Sequence, residues 1–300
     1  MTHALRRRRI LGRLLRHRTG AFGLALAAVL VLVALAAPLV APADPAAVDF
    51  DRVLQPPSTT AWLGTDELGR DQLSRVFHGI RSSIVVGVLS VLLALVVATP
   101  LGLVAGYRRG VTDAVVSRVT DTLLAFPFLV LAVGLAAILG ASLLNAALAI
   151  GISQIPNLIR VVRGEALRLS NEDYVAAAVA AGARSGTVLF RHLLPNSVNA
   201  LLIQITVAIP AAIIGEALLS FLGLGVQPPT PSLGVMLAAA QTYFAQAPWL
   251  VVFPGLTVVL ATLGFNLLGD GLRDALDPRG GPMSDAFRPA DRSRELSGRR

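Results

Sequence analysis

Two features of the sequence contain charged residues that could perform chemistry. The first is a group of charged residues in the segment 42–82. Three carboxylates occur there close together, and paired carboxylates can act as general acid and base or bind a cation. Two arginines stand among them and glycines flank the group, so ion pairs that stabilise a turn are the favoured interpretation. The charged residues are Asp66, Glu67, Arg70, Asp71 and Arg75.

The second feature is Glu216, the only acidic residue deep inside a long apolar segment. A carboxylate within a membrane is costly, so it is a functional hypothesis by default. Three roles stay open: lining or gating a translocation path, hydrogen bonding across helices to Ser220 or a partner chain, and relaying protons. A proton relay normally needs several ionisable groups, and the apolar segments offer only Asp121 besides.

Several other chemistries have no support in the sequence. The chain contains no cysteine, and its four histidines are scattered without ligand spacing. Every basic residue is an arginine, so a phosphate-binding loop that ends in Gly-Lys-Ser/Thr is excluded. We therefore predict no catalytic residue, no metal site and no cofactor, and we expect any ATP to be bound by another subunit.

The amino-acid composition indicates that water is not the only solvent of this chain. Hydrophobic residues make up 54% of the 300 residues, charged residues only 15%, and the mean hydropathy is +0.69. A soluble domain carries about a quarter charged residues. Apolar segments long enough to span a bilayer predict an all-α polytopic membrane protein with six transmembrane helices. The predicted spans are 20–40, 84–104, 122–139, 143–162, 198–222 and 250–268.

The arginines set the predicted orientation. Of the 26 basic residues, only Arg52, Arg70, Arg75 and Arg81 lie outside the segments 1–19, 105–118, 160–197 and 269–300. The positive-inside rule then places both termini in the cytoplasm. The first apolar run is longer than a signal-peptide core, so it is read as an uncleaved helix. The arginines that precede it favour contact with the lipid bilayer over nucleic acid.

These features divide the chain into five predicted regions. We expect a basic cytoplasmic arm, a first transmembrane helix, an extracytoplasmic loop, a five-helix core and a disordered cytoplasmic tail. The regions are 1–19, 20–41, 42–82, 83–277 and 278–300.

The most informative segment is the loop 164–197, which is long for a compact bundle. Ser170 and Asp173 fit a capping box, an alanine-rich helix follows from Tyr174, and Gly182 supplies a helix stop. A second short helix is predicted over 187–194, ending against Pro195. Small side chains on one side of such a helix let another protein approach closely, which indicates a docking surface.

This loop resembles the EAA loop of ABC-importer permeases, the coupling element that sits in a cleft of the ATPase. The resemblance rests on Tyr174, the alanines that follow it, a glycine, and a Leu-Pro pair. Ala177, Ala178, Gly182, Leu194 and Pro195 match the family's motif, whereas Ala176 stands where the family usually has glutamate. At this position the resemblance therefore does not imply the polar contact with the ATPase that a glutamate would make.

Three further blocks resemble the dipeptide, oligopeptide and nickel permeases in particular, and they occur in the family's order. They are 63–71, with Gly64, Asp66, Gly69, Arg70 and Asp71, then 221–232, and 265–278.

The resemblance implies a type I importer bundle in the bacterial inner membrane, transporting peptides, nickel or a similar small solute. It also implies two ATPase subunits, a second homologous permease and an extracytoplasmic binding protein as partners. The alternative is a stand-alone secondary transporter, which predicts inverted repeats and several buried ionisable residues.

Overall fold

The computed structural model describes residues 17–276 together with Gly12, Leu14 and Leu15. Most of the predicted arm 1–19 and the whole predicted tail 278–300 lie outside the described residues. Within the described part the secondary structure is helical, apart from one isolated bridge between Thr65 and Asp71. The all-α prediction is therefore confirmed.

Nine α-helices follow one another between Arg18 and Leu276, and a 3₁₀ turn at Phe50–Arg52 precedes the second. The seventh contains a π-helical segment, Val188–Leu193. The helices are α1 (Arg18–Val40), α2 (Gln72–Arg108), α3 (Gly110–Leu124), α4 (Phe128–Leu139), α5 (Leu143–Ser170), α6 (Asp173–Ala180), α7 (Ser185–Phe221), α8 (Leu233–Ala240) and α9 (Trp249–Leu276).

Five of these helices, α1, α2, α5, α7 and α9, are long and apolar enough to cross a membrane. The predicted span 122–139 is not one straight helix, because α3 and α4 meet at an angle of 88°. Pro127 precedes α4 with an extended backbone, and proline disfavours helical geometry in the residue before it. Counted as one broken span, the pair gives six spans.

The long helices pack closely because glycines remove side chains from their contacts. On α2, a Cβ at Gly102 would lie 2.7 Å from Val162, and one at Gly106 would lie 2.6 Å from the carbonyl oxygen of Arg163. The spacing of this pair suits a close crossing, and α2 meets α5 there. In the same way α1 lies against α9, where Gly20 approaches Gly271.

The core lies between the helices, and much of the outer surface is apolar. Val86, Ile150 and Leu219 bring α2, α5 and α7 together in one buried cluster. Outside, Leu35 and Leu39 of α1 are 72% and 88% exposed. Water would make such a surface unfavourable, whereas hydrocarbon does not, so the bilayer is the solvent of this fold.

Candidate functional site

The short helix α6 projects from the ends of α5 and α7. It is connected to α5 by only Asn171 and Glu172, and it ends where Gly182 adopts a left-handed backbone with φ +84°. The N–H of Ala183 donates to the carbonyl oxygen of Ala178 at 3.0 Å, which is the Schellman arrangement. The predicted helix and its glycine stop are confirmed.

One fully buried side chain fixes α6 to the bundle, and most of the remaining surface of the helix is exposed. Val175 is 2% exposed and packs in a cluster with Leu169 of α5 and Val188 and Leu193 of α7. Ala176 and Ala177 are exposed, and Ala178 is half-buried. The alanines therefore leave the backbone of α6 open to close approach.

Tyr174 begins this surface. It is 40% exposed, and its ring centroid lies 6.4 Å from that of His192 on α7. Partial burial, with a smaller contribution from the carboxylate of Glu172, raises the pKa of the Tyr174 phenol above its ordinary value. The phenol consequently stays neutral and remains able to donate a hydrogen bond.

Two local predictions about this region were wrong. Ser170 does not cap α6, because it is the last residue of α5 and its hydroxyl donates to the carbonyl oxygen of Ala166 at 2.5 Å. The helix predicted over 187–194 does not end at Pro195, because α7 continues through it to Phe221. Val188–Leu193 is π-helical. This wider turn accommodates Pro195, which lacks a backbone N–H and whose ring crowds the preceding turn of the helix.

The Leu-Pro pair therefore lies within α7. Leu194 is half-buried beside the cluster that holds Val175, and Pro195 is exposed. The structure brings this pair and α6 to the same end of the molecule, although the helix between them is longer than predicted. Much of the predicted loop 164–197 thus consists of helix ends.

Glu216 lies in a polar cluster inside the bundle. Its side chain is completely buried, and Oε2 accepts a hydrogen bond of 2.5 Å from Ser83 of α2. Oε1 accepts from Ser220 at 2.8 Å and from Ser232 at 2.7 Å. The predicted hydrogen bond with Ser220 is present, but it lies within α7 and not across helices as predicted; the bond from another helix comes from Ser83. In this conformation the carboxylate faces protein rather than an open path.

Each of two serines also accepts a backbone N–H while it donates to Glu216. Ser220 accepts from Val226 at 3.0 Å, and Ser232 accepts from Gly234 at 3.2 Å at the start of α8. The carboxylate thereby connects α2, α7, the segment 222–232 and α8. Buried networks of this kind are rigid when every member is satisfied.

Sequence reasoning missed Ser83 and Ser232 as partners of Glu216. Ser83 stands next to an apolar run, and Ser232 precedes the apolar helix α8 as its N-cap. The second position carries a recognisable capping signal. No signal along the chain indicates that Ser83, 133 residues away, meets Glu216.

The charged group near residue 66 forms the ion pairs that the sequence favoured. Asp66 is 3% exposed, and its Oδ2 lies 2.7 Å from Nε of Arg70 and 3.2 Å from Nε of Arg75. Arg70 also contacts Glu67 at 2.8 Å. The cluster holds the segment before α2 against the bundle.

The neighbouring motif residues shape the turn before α2. Asp71 caps the helix by accepting the N–H of Ser74 at 2.8 Å, so α2 begins at Gln72, inside the predicted loop 42–82. Gly64 and Gly69 both adopt left-handed backbone conformations, with φ of +79° and +72°. A Cβ at Gly69 would collide with the carbonyl oxygen of Asp49, so glycine is required there.

Comparison with known proteins identifies the family. Residues 98–280 match the sequence profile of the family described as binding-protein-dependent transport system inner membrane component. Residues 6–57 match the N-terminal transmembrane domain of oligopeptide transport permease C.

Three curated relatives extend this similarity over most of the chain. The dipeptide transport system permease protein of Alkalihalophilus pseudofirmus is 44% identical over 257 residues, which cover 86% of this chain and 84% of the relative. The di/tripeptide transport system permease protein of Pseudomonas aeruginosa is 46% identical, covering 88% and 89%. The glutathione transport system permease protein of Pectobacterium atrosepticum is 46% identical, covering 77% of each chain.

The chain belongs to the family of inner-membrane components of binding-protein-dependent transport systems. It is a multi-pass permease subunit of an ABC importer in the bacterial inner membrane. Such permeases are not themselves enzymes, and membership implies ATPase subunits and a substrate-binding protein as partners.

Proposed function

We propose that this permease subunit carries short peptides into the cell and that ATPase subunits drive it by docking on α6. The observation that carries the proposal is the exposed alanine surface of α6, anchored to the spans through Val175. The relatives named above transport dipeptides, tripeptides or glutathione, which are all short peptides. This favours a short peptide over nickel, which the sequence resemblance left open.

The attachment of α6 suits it to transmit force. Turns of two residues before it and four after it join it to α5 and α7, so a displacement of α6 moves both spanning helices. Closure of the ATPases on ATP would then shift the bundle from an inward-facing to an outward-facing state. No bond chemistry is required of this chain.

The remaining assembly follows from the predicted orientation. We place α6 and both termini in the cytoplasm, and the segment 42–71 with the segment 222–232 outside. A second, homologous permease would complete the pathway as a heterodimer, with two ATPase subunits beneath the pair. An extracytoplasmic solute-binding protein would deliver the peptide to the outer end.

The role that we propose for Glu216 is to hold the outer end of the bundle together. Its cluster joins α2, α7 and α8 at the side where the segment 222–232 leaves α7. A rigid outer end would keep the spanning helices joined there while α6 is displaced at the other end. The carboxylate would be a positioning group and would not touch the substrate.

Ala177→Arg tests the docking surface. In reconstituted importer we expect it to abolish ATP-dependent dipeptide uptake and to release the ATPase, because a long charged side chain blocks close approach. Ala177→Ser is the matched control, since it keeps the side chain small, and it should transport normally. Normal uptake by Ala177→Arg would contradict the proposal.

A further inference from the structure

A cavity of about 310 Å³ opens beside the Glu216 cluster. It lies between α2, the beginning of α5 and the segment 222–232, and its lining includes His78, Arg81, Val85, Leu143 and Thr230. Ligand pockets in proteins span about 300–1,000 Å³, so this cavity suits a small solute or one end of a peptide.

Arg81 is the chemically unusual member of the lining. Among the other arginines of the predicted loop 42–82, Arg70 and Arg75 share Asp66, and Arg52 donates to a backbone carbonyl oxygen at 3.2 Å. Arg81 is exposed and forms no hydrogen bond or ion pair with any residue in 17–276. An unpaired guanidinium on a helix that can span a membrane is costly unless it faces water, lipid headgroups or an anion.

The rest of the lining complements a peptide. Val85 and Leu143 give the cavity apolar walls. Nδ1 of His78 lies 2.9 Å from the carbonyl oxygen of Ser74, and the tautomer that donates there leaves Nε2 free to accept. The cation matches a carboxylate, the acceptor matches a peptide N–H, and the apolar wall matches a hydrocarbon side chain.

The walls of the cavity are also connected to the buried Glu216 cluster. Ser82 donates to the carbonyl oxygen of Pro231 at 2.8 Å, and the adjacent Ser83 donates to Glu216. The cavity wall formed by α2 and the wall formed by the segment 222–232 are therefore fixed to each other. Arg81 is held in place by its helix and does not lie on a loose loop.

We infer that this cavity is a substrate subsite in which the guanidinium of Arg81 binds a carboxylate of the transported peptide. Arginine binds carboxylates through two parallel hydrogen bonds, which gives orientation as well as attraction. The inference rests on the proposed transport of short peptides and adds where one end of the peptide would be recognised.

The natural absence of cysteine allows a direct test with Thr230→Cys, which places one thiol in the cavity. In the assembled importer in lipid nanodiscs, the modification rate is measured with anionic and cationic methanethiosulfonate reagents of similar size. We expect a dipeptide to slow modification and its C-terminal amide not to do so. Val48→Cys, outside the cavity, is the control thiol.

Variants of Arg81 test whether its guanidinium is the group that binds the carboxylate of the dipeptide. Arg81→Gln should remove the protection by dipeptide and lower the ratio of anionic to cationic modification rates about tenfold, because a nearby charge is lost. Arg81→Lys should keep most of the rate ratio, since the charge remains, while it weakens the protection because the paired hydrogen bonds are lost.

Other outcomes would overturn the inference in distinguishable ways. Absence of protection in an importer that still takes up dipeptide would refute the subsite and leave the proposed function standing. Protection that follows the content of anionic phospholipid instead of dipeptide would make Arg81 a lipid anchor. Failure of the wild-type importer to take up any peptide would refute both the proposed function and this inference.

Discussion

Replacement of Ser83 by alanine isolates one hydrogen bond of the Glu216 cluster. The hydroxyl donates to the buried carboxylate over 2.5 Å, and both side chains are at most 2% exposed. Hydrogen bonds to charged groups contribute about 1.5–3 kcal/mol to stability. Alanine has a better helix propensity than serine by about 0.5 kcal/mol. The net loss expected for Ser83→Ala is therefore about 1.5 kcal/mol.

The chain supplies a matched control in Ser153 of α5. Ser153 is 3% exposed, but its hydroxyl donates to the carbonyl oxygen of Ala149 in its own helix at 2.7 Å and forms no hydrogen bond to another helix in the described residues. Hydrogen bonds of this kind contribute little and slightly disturb the helix. Ser153→Ala should thus change the free energy of unfolding by about 0.5 kcal/mol or less.

The free energy of unfolding is measured by titrating the purified chain with sodium dodecyl sulfate in mixed micelles. A double-mutant cycle that adds Glu216→Gln separates the pairwise contribution from the effects of each side chain. The reasoning would be refuted if Ser83→Ala and Ser153→Ala destabilised the chain equally. It would also fail if the cycle gave no coupling between Ser83 and Glu216.

Three other predictions address packing, ion pairing and orientation. Gly106→Val should destabilise the α2–α5 crossing by about 2 kcal/mol or more, because its Cβ would press on backbone, whereas Gly134→Ala, with open space around it, should not; denaturant titration of both variants checks this. Asp66→Asn should cost about 3–5 kcal/mol in the same titration, since it leaves the buried Arg75 without a carboxylate partner and Arg70 with Glu67 alone, and a loss below 1 kcal/mol would contradict it. In intact cells an impermeant thiol reagent should label Val48→Cys but not Ala180→Cys, and the reverse pattern would overturn the orientation.

Much of the fold was predictable because a bilayer imposes simple rules. A spanning helix must be long and apolar, and the sequence shows this for α1, α2, α5, α7 and α9. The break at Pro127 was less evident, because the apolar run continues through it. The start of α2 at Gln72 lies in polar sequence that a hydropathy window cannot assign.

The candidate sites were predictable only where they are local. Gly182 stops α6 by its own backbone freedom, and the pairing of Asp66 with Arg70 joins residues four positions apart. Two partners of Glu216, Ser83 and Ser232, come from other elements, so only the folded chain brings them to the carboxylate. The continuation of α7 through Pro195 depends on a π-helical turn, which leaves no clear pattern in sequence.

The central claim is that ATPases docked on α6 drive this permease. The most direct test is to purify the tagged chain from its native membrane in mild detergent and to identify the bound proteins by mass spectrometry. The account predicts recovery of an ATP-binding-cassette ATPase and a second six-helix permease, with the ATPase lost from Ala177→Arg. Recovery of the chain alone, or of an ATPase that remains bound to Ala177→Arg, would contradict it.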